Sequence, residues 1–231
     1  MKQYKHIFFD LDKTIWDFET SSAQTFREIF VFEQLPQRGI ASFEPFYEVY
    51  KHYNNLLWEQ YRNGQIQKET LHVRRFLLAL NDYGINDLAL ATRLADTYLA
   101  RLPFKNNVFP GTHETLGYLS QKYVLHIITN GFEEVQYKKM ETSDLRKYFT
   151  CIITSEDAGI KKPDPGIFFY AFRQTGAVAE QSLMVGDDLD VDVLGAKNAG
   201  IDQVFFNYNH VNHSNNTTYE IFTLSDLLKF L

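Results

Sequence analysis

Residues 7–17 read IFFDLDKTIWD. The apolar run Ile7-Phe8-Phe9 has the composition of a core strand. It stops at two aspartates one residue apart, Asp10 and Asp12, with Thr14 just beyond. Aspartate is depleted in strands and costly to bury without a partner. Two carboxylates at a strand end therefore mark a functional rim, provided that the rest of the chain builds a sheet around that strand.

From Phe109 onward the sequence predicts such a sheet. YVLHIIT (123–129), CIIT (151–154), SLMVG (182–186) and DQVFF (202–206) read as strands, alternating with helices over 112–121, 133–142, 165–175 and 190–199. This alternation predicts a parallel sheet with crossover helices. Residues 4–11 join it, because IFFD has nothing else to pair with. From about residue 19 to about 102 the period is helical throughout. FEPFYEVYKHYNNLLWEQY (43–61) places Phe43, Phe46, Tyr47, Tyr50, Leu57 and Tyr61 near one face, and 68–80 and 88–102 behave alike. The expected fold class is α/β: a Rossmann-like parallel-sheet core from 1–15 plus 103–231, with a helical domain, 16–102, inserted after the first strand. Residues 207–219 read as a polar loop in which His210 and His213 are solvated.

Composition narrows the function classes. With 231 residues, 45% hydrophobic and 23% charged, the chain buries a real core. No apolar run approaches the ~20 residues of a membrane span. Met1-Lys2 leads straight into the first strand-like segment without a signal-peptide pattern, so a cytoplasmic location is expected. The single cysteine, Cys151, reads as a core thiol; it permits no internal disulfide and suits a reducing compartment. Lys and Arg total 23 against 29 Asp and Glu, a net charge of -6, which argues against nucleic-acid binding. A small anionic substrate then needs a local cation.

In open parallel sheets, ligands bind beyond the carboxyl ends of the strands. Asp10, Asp12 and Thr14 follow the first strand, and Thr129, Asn130 and Gly131 the second. SEDAGIKKPDP (155–165) follows the third, and Gly186, Asp187, Asp188, Asp190 and Asp192 the fourth. Carboxylates that close raise one another's pKa, and a hard cation such as Mg²⁺ relieves the repulsion. Asp10 and Asp187 are the natural ligands, with Asp192 close behind. Asp190 reads as a helix cap, and Asp188 as either. One carboxylate can then attack phosphorus, and another, two residues on, can protonate the leaving alcohol and deprotonate water. Donors to the phosphoryl oxygens are a lysine, the Thr129 hydroxyl and the amides of Asn130-Gly131. Lys162 is biased toward an extended backbone by Pro163, and Lys161 competes with it.

DLDKT, ITNG, the lysine of KKPDP and GDDLDVD, in that order, resemble the four motifs of the haloacid dehalogenase superfamily. The resemblance implies Asp10 as nucleophile, Asp12 as general acid/base, Thr129 as phosphate donor and Lys162 over Lys161. It implies Asp187 as a Mg²⁺ ligand with Asp10 and the Asp12 backbone carbonyl, and Asp192 as a nearby or water-mediated one. Asp12 makes the chain look like a phosphatase rather than a dehalogenase. The helical insertion resembles the C1-type cap. NNLLWEQYRNGQIQKETLHVRRF and FPGTHETLGYLSQKYVLHIITNGFEEVQYKKMETSDLRKYF are similar to the YjjG-type pyrimidine 5′-nucleotidases. That implies hydrolysis of nucleoside 5′-monophosphates by a monomer or weak homodimer. Trp16, Phe18, Trp58 and Tyr61 are candidates to stack on a base, Trp16 foremost. Arg62 and the Arg74-Arg75 pair read as a solvated face. The alternatives are a phosphatase of another small ester, such as phosphoglycolate or a sugar phosphate, and a non-hydrolytic protein that binds Mg²⁺ and carries a phospho-aspartate.

Overall fold

The structure, a computed structural model, describes residues 3–231; Met1 and Lys2, used above to argue against a signal peptide, lie outside the described residues. In chain order the elements are β1 (His6–Phe9), α1 (Phe18–Phe32), α2 (Phe43–Arg62), α3 (Lys68–Asn81), α4 (Leu88–Arg101) and α5 (Thr112–Leu119). Then come β2 (Val124–Thr129), α6 (Glu133–Thr142), β3 (Cys151–Thr154), α7 (Ser155–Ala158), α8 (Pro165–Thr175), β4 (Ser182–Gly186), α9 (Gly195–Asn198), β5 (Asp202–Phe206) and β6 (Tyr219–Ile221). No helix of the described residues is long and apolar enough to cross a membrane.

Two compact units emerge: Glu19–Lys105, and the residues up to Phe18 together with Asn106–Leu231. The junctions fall three residues later than the sequence places them. The reason is backbone pairing across the entrance to the insertion: Asp17 N–H donates to the Asn107 carbonyl (3.0 Å) and Phe109 N–H to that of Ile15 (3.0 Å).

The sheet unit has six strands in the order β3-β2-β1-β4-β5-β6, with every pairing parallel. Helices cover both faces of such sheets, so their strands read as continuous apolar runs. Ile7, Phe8 and Phe9 are all fully buried. Phe8, Ile128, Ile153 and Met184 form one core layer with Ile167, Phe168 and Ala171 of α8 and Ala196 of α9. The strand order reverses at β1, between β2 and β4, the position beyond whose strand ends open α/β sheets bind ligands.

The strand β6 was not expected. It is a three-residue edge strand paired Val204↔Tyr219 and Phe206↔Ile221, too short for alternation to register. Glu220 on it accepts from Asn207 Nδ2 (2.7 Å) and meets His213 Nε2 at 3.3 Å, so His213 has a carboxylate neighbour that the linear reading missed. His210 stacks on Phe222.

Two histidines sit side by side in β1 and β2. His6 Nδ1 and His126 Nε2 are 3.1 Å apart, and His126 also stacks on Phe8. Burial, with a smaller contribution from the His6 charge, pushes His126 down to about 4. The unfolded chain takes up this proton near pH 6.5, whereas the folded chain holds it off until about 4. The contribution of His126 to stability is therefore full above about pH 6.5 and falls as pH drops through that window. In thermal melts from pH 7 to 4, His126→Phe should lose less stability than wild type; parallel curves would contradict this account.

The helical unit is built around Phe26 of α1. Its ring lies 4.4 Å from Tyr50, 5.7 Å from Phe46 and 5.8 Å from Phe76. The aromatic face predicted for α2 is buried as expected. Ser22 Oγ accepts from the hydroxyls of Tyr47 (3.0 Å) and Tyr98 (2.8 Å). Arg74 is exposed, but Arg75 is 2% exposed and not on a solvated face. Its guanidinium lies 5.3 Å from the rings of both Phe76 and Tyr98, and its Nη1 donates to Asn54 Oδ1 (2.8 Å). Cation–π contact and one strong hydrogen bond offset part of the desolvation. Within this unit Trp58 and the buried Tyr61 meet edge to face, 5.6 Å between centroids.

Candidate active site

Asp10 is the first residue beyond β1, and its N–H still bonds the Val185 carbonyl of β4 (2.9 Å). The chain then turns tightly. Lys13 takes a left-handed backbone conformation (φ 65°), its N–H donates to the Trp16 carbonyl (2.8 Å), and Ile15 and Trp16 both donate to the Leu11 carbonyl. Asp10 and Asp12 therefore stand on one rigid rim, Asp10 buried and Asp12 partly exposed.

Lys162, not Lys161, faces Asp10. Its ammonium lies 2.6 Å from Asp10 Oδ1 and 2.6 Å from Asp192 Oδ1, and the side chain is 1% exposed. The Asn130 amide fixes the Lys162 backbone: Nδ2 donates to the Lys162 carbonyl (2.9 Å) and Oδ1 accepts its N–H (2.9 Å). Asn130 thus spends its side chain positioning the lysine, a role the sequence did not disclose.

Thr129 ends β2. Its hydroxyl oxygen accepts from Gln136 Nε2 (2.7 Å) and from Gly131 N–H (3.1 Å). With both acceptor positions used, the hydroxyl proton is left to donate outward. The Gly131 amide, expected to meet phosphate, is instead engaged with Thr129. A Cβ on Gly131 would lie 2.3 Å from Gln136 Nε2, so any larger residue there would push that amide out of place.

Beyond β4, Asp187 accepts from the Thr14 hydroxyl (3.1 Å). Asp192 folds back over Gly186, where a Cβ would sit 2.4 Å from its carboxyl carbon, and accepts from Asp188 N–H (3.1 Å). The capping expected of Asp190 falls to Asp188, whose Oδ1 accepts from the N–H groups of Asp190 and Val191, both at 3.0 Å.

One carboxylate oxygen each from Asp10, Asp187 and Asp192 lies within 4.8 Å of the others. Lys162 is the lysine set among them. Burial first, and the Asp192 and Asp12 charges next, overcome Lys162 and push Asp10 up to about 7. Asp187 is raised well above the usual carboxylate range by burial and by Asp192 and Asp10; it keeps some solvent contact, yet its surroundings are dense enough for burial to dominate. Burial raises Asp192 as well, against Lys162. Burial opposes the Lys162 charge, but the two carboxylates outweigh it and hold its pKa above the ordinary value. The three crowded carboxylates form an all-oxygen, electron-rich donor set that suits a hard divalent cation. The Asp12 side chain takes no part in this cluster.

Two residues of α6 that the sequence reading did not single out complete the rim. Lys139 Nζ lies 2.6 Å from Asp12 Oδ1, and Gln136 Nε2 donates to Asp12 Oδ2 (2.9 Å). Their signal was available: a glutamine and a lysine three residues apart on the face that also buries Val135 and Met140. Burial lowers the Lys139 pKa despite Asp12. Trp16, the foremost base-stacking candidate, is fully buried. Its indole N–H donates to Ser143 Oγ (3.1 Å), and the Lys139 ammonium sits 4.4 Å from its ring centre, so Trp16 packs as a wall behind the lysine.

Known proteins resemble the chain over most of its length. The family model of the haloacid dehalogenase-like hydrolases matches residues 4–200. The pyrimidine 5′-nucleotidase PynA of Streptococcus pneumoniae is 31% identical over 99% of this chain and 95% of its own length. The pyrimidine 5′-nucleotidase YjjG of Escherichia coli is 29% identical over 88% of this chain and 86% of its own. A glyceraldehyde 3-phosphate phosphatase of Pyrococcus furiosus is 30% identical over 90% of this chain and 82% of its own. A crystal structure of the HAD-hydrolase YfnB of Bacillus subtilis, bound to magnesium, superposes with a TM-score of 0.90 at 30% identity, covering 99% of this chain and 98% of that one. With motifs, strand ends and relatives in agreement over nearly its whole length, the chain belongs to the haloacid dehalogenase-like hydrolases.

Proposed function

We propose that this phosphatase is a Mg²⁺-dependent phosphomonoesterase that works through an aspartyl-phosphate, an acyl phosphate on Asp10, with pyrimidine nucleoside 5′-monophosphates as favoured substrates. The observation that carries the chemistry is the turn after β1. It presents a buried carboxylate held by Lys162 and, two residues on, a second carboxylate held apart by α6. The nucleotide preference rests on the resemblance to PynA and YjjG.

In the proposed first half-reaction a carboxylate oxygen of Asp10 attacks phosphorus, and the bond from phosphorus to the leaving oxygen breaks. Asp12, carrying a proton, gives it to that oxygen, so the alcohol leaves neutral. In the second half Asp12 takes a proton from water, the water oxygen bonds to phosphorus, and the Asp10–phosphorus bond breaks to release phosphate. Thr129 donates its hydroxyl proton to a phosphoryl oxygen, and Lys162 supplies positive charge beside the nucleophile. Asp10, Asp187 and Asp192, with the Asp12 carbonyl, would hold Mg²⁺, which when bound neutralises charge on the phosphoryl oxygens.

Phosphate release should be measured from a panel of phosphomonoesters that includes UMP, dUMP, dTMP, phosphoglycolate and glyceraldehyde 3-phosphate, with Mg²⁺ and with EDTA. The expected result is that the pyrimidine nucleotides lead and EDTA silences all of them. A lead by another ester would keep the chemistry and overturn the nucleotide preference. A phospho-aspartate that persists without turnover would overturn the hydrolase mechanism in favour of a non-hydrolytic phospho-carrier.

A further inference from the structure

We propose that Lys139 is a positioning residue for Asp12: with Gln136 it holds the acid/base carboxylate toward the leaving group and away from the carboxylate cluster. This role rests on the mechanism proposed above, but its evidence is separate. Asp12 sits two residues from Asp10, and its side chain is 26% exposed. An unrestrained carboxylate there would have two destinations, the leaving oxygen and any cation held by Asp10, Asp187 and Asp192. The structure separates them by pairing. Lys162 contacts Asp10 and Asp192, whereas Lys139 contacts Asp12.

The arrangement looks built for direction. Both Asp12 oxygens are taken by one helix face, Oδ1 by Lys139 and Oδ2 by Gln136. Two donors three residues apart on α6 fix the plane of the carboxylate as well as its position. Gln136 uses its other hydrogen on Thr129 Oγ1, so the same amide ties the acid/base to the phosphate donor. Lys139 is itself immobilised: its side chain is 3% exposed, and its ammonium lies 4.4 Å from the Trp16 ring and 5.7 Å from that of Phe18. A buried ion pair is a poor stabiliser, since apolar residues of equal volume often do as well. A buried lysine walled by aromatic rings and aimed at one carboxylate oxygen is better explained by a need for direction than by a need for stability.

The test uses the leaving group. For each ester, kcat/KM reports steps up to departure of the alcohol, before water attacks. UMP expels uridine as a 5′-alkoxide that needs a proton from Asp12; p-nitrophenyl phosphate expels a stabilised phenolate that does not. General acid catalysis contributes on the order of 10²–10⁴-fold. Lys139→Met should therefore lower kcat/KM for UMP by about 100-fold and for p-nitrophenyl phosphate by less than about threefold. Equal losses on both esters would mark a merely structural lysine, and no loss on either would mark a dispensable one; both overturn the proposal. Should Lys139→Met fail to fold, Lys139→Gln, which keeps a polar head but shortens the reach to Asp12 Oδ1, is held to the same criterion, with a UMP-selective loss expected. Wild-type silence on both esters would reject the phosphatase mechanism itself, a result separate from an unselective loss in the variants.

Discussion

Asp10→Asn should abolish phosphate release, by on the order of 10⁴-fold or more, because the neutral amide cannot attack phosphorus. The same variant should melt at a higher temperature than wild type in EDTA above pH 7. Asp10 is held up to about 7 chiefly by burial, with Asp192 and Asp12 adding to it against Lys162. Between its ordinary pKa near 4 and about 7, the folded protein holds a proton that the unfolded chain has released. Asp10 therefore costs the wild type stability as pH rises through that window, a cost that asparagine does not carry. The gap between variant and wild type should be near zero at about pH 4.5 and fully open above about 7, worth on the order of a few kcal/mol. Adding Mg²⁺ should restore the wild type more than the variant, which lacks one ligand. Thermal melts across pH, paired with the phosphate assay, decide the matter. Retained turnover would remove Asp10 as nucleophile, and an Asp10→Asn protein melting below wild type at pH 8 would refute the burial argument.

Lys162→Met should be damaged in both respects. It removes the ammonium 2.6 Å from both Asp10 and Asp192, leaving two buried carboxylates without their lysine. Breaking a buried pair in this way costs about 3–5 kcal/mol, or about 10 °C in a chain of this size. The loss has a direction in pH. Without the lysine both carboxylates hold protons more tightly, so the variant should be worst at about pH 8 and recover as pH falls toward 5. Catalysis should drop by about 10²–10³-fold, the usual cost of losing one charge-stabilising donor. Lys161→Met is the control and should leave activity near wild type. Equal losses in the two variants would mean that the backbone clamp by Asn130 does not select Lys162.

Why one carboxylate substitution should stabilise and the lysine substitution destabilise follows from the same imbalance. The rim crowds like charge at the end of a buried sheet, and that cost is tolerated where function requires it. The imbalance is local: the net charge of -6 is spread over the whole chain, whereas three carboxylate oxygens lie within 4.8 Å of one another here.

Much of this was legible in the linear sequence. The strands were readable because parallel strands buried on both faces are continuous apolar runs, and the site was readable because its side chains follow those runs immediately. Asp10, Thr129 and Asp187 needed only the rule that strand ends carry ligands, whereas preferring Lys162 to Lys161 needed the family resemblance. The helical insertion was readable from its period. The reading failed where a residue's setting depends on chain far away in sequence. Trp16 looked available for stacking because nothing local showed that Ser143 and Lys139 would meet it. Arg75 read as solvated because its neighbours Asn54, Phe76 and Tyr98 come from three helices. The strand β6 exists only because β5 offers an edge.

The sequence by itself determined the α/β fold, the inserted helical unit and which strand ends bring carboxylates to one rim, since periodicity and strand-end composition are local properties of the chain. Tertiary structure alone decided the pairings within that rim: Lys162 with Asp10 and Asp192, Asn130 with the Lys162 backbone, Lys139 and Gln136 with Asp12. Which charge faces which carboxylate is a matter of a few ångströms between segments up to 152 residues apart, and only the packed sheet fixes those distances.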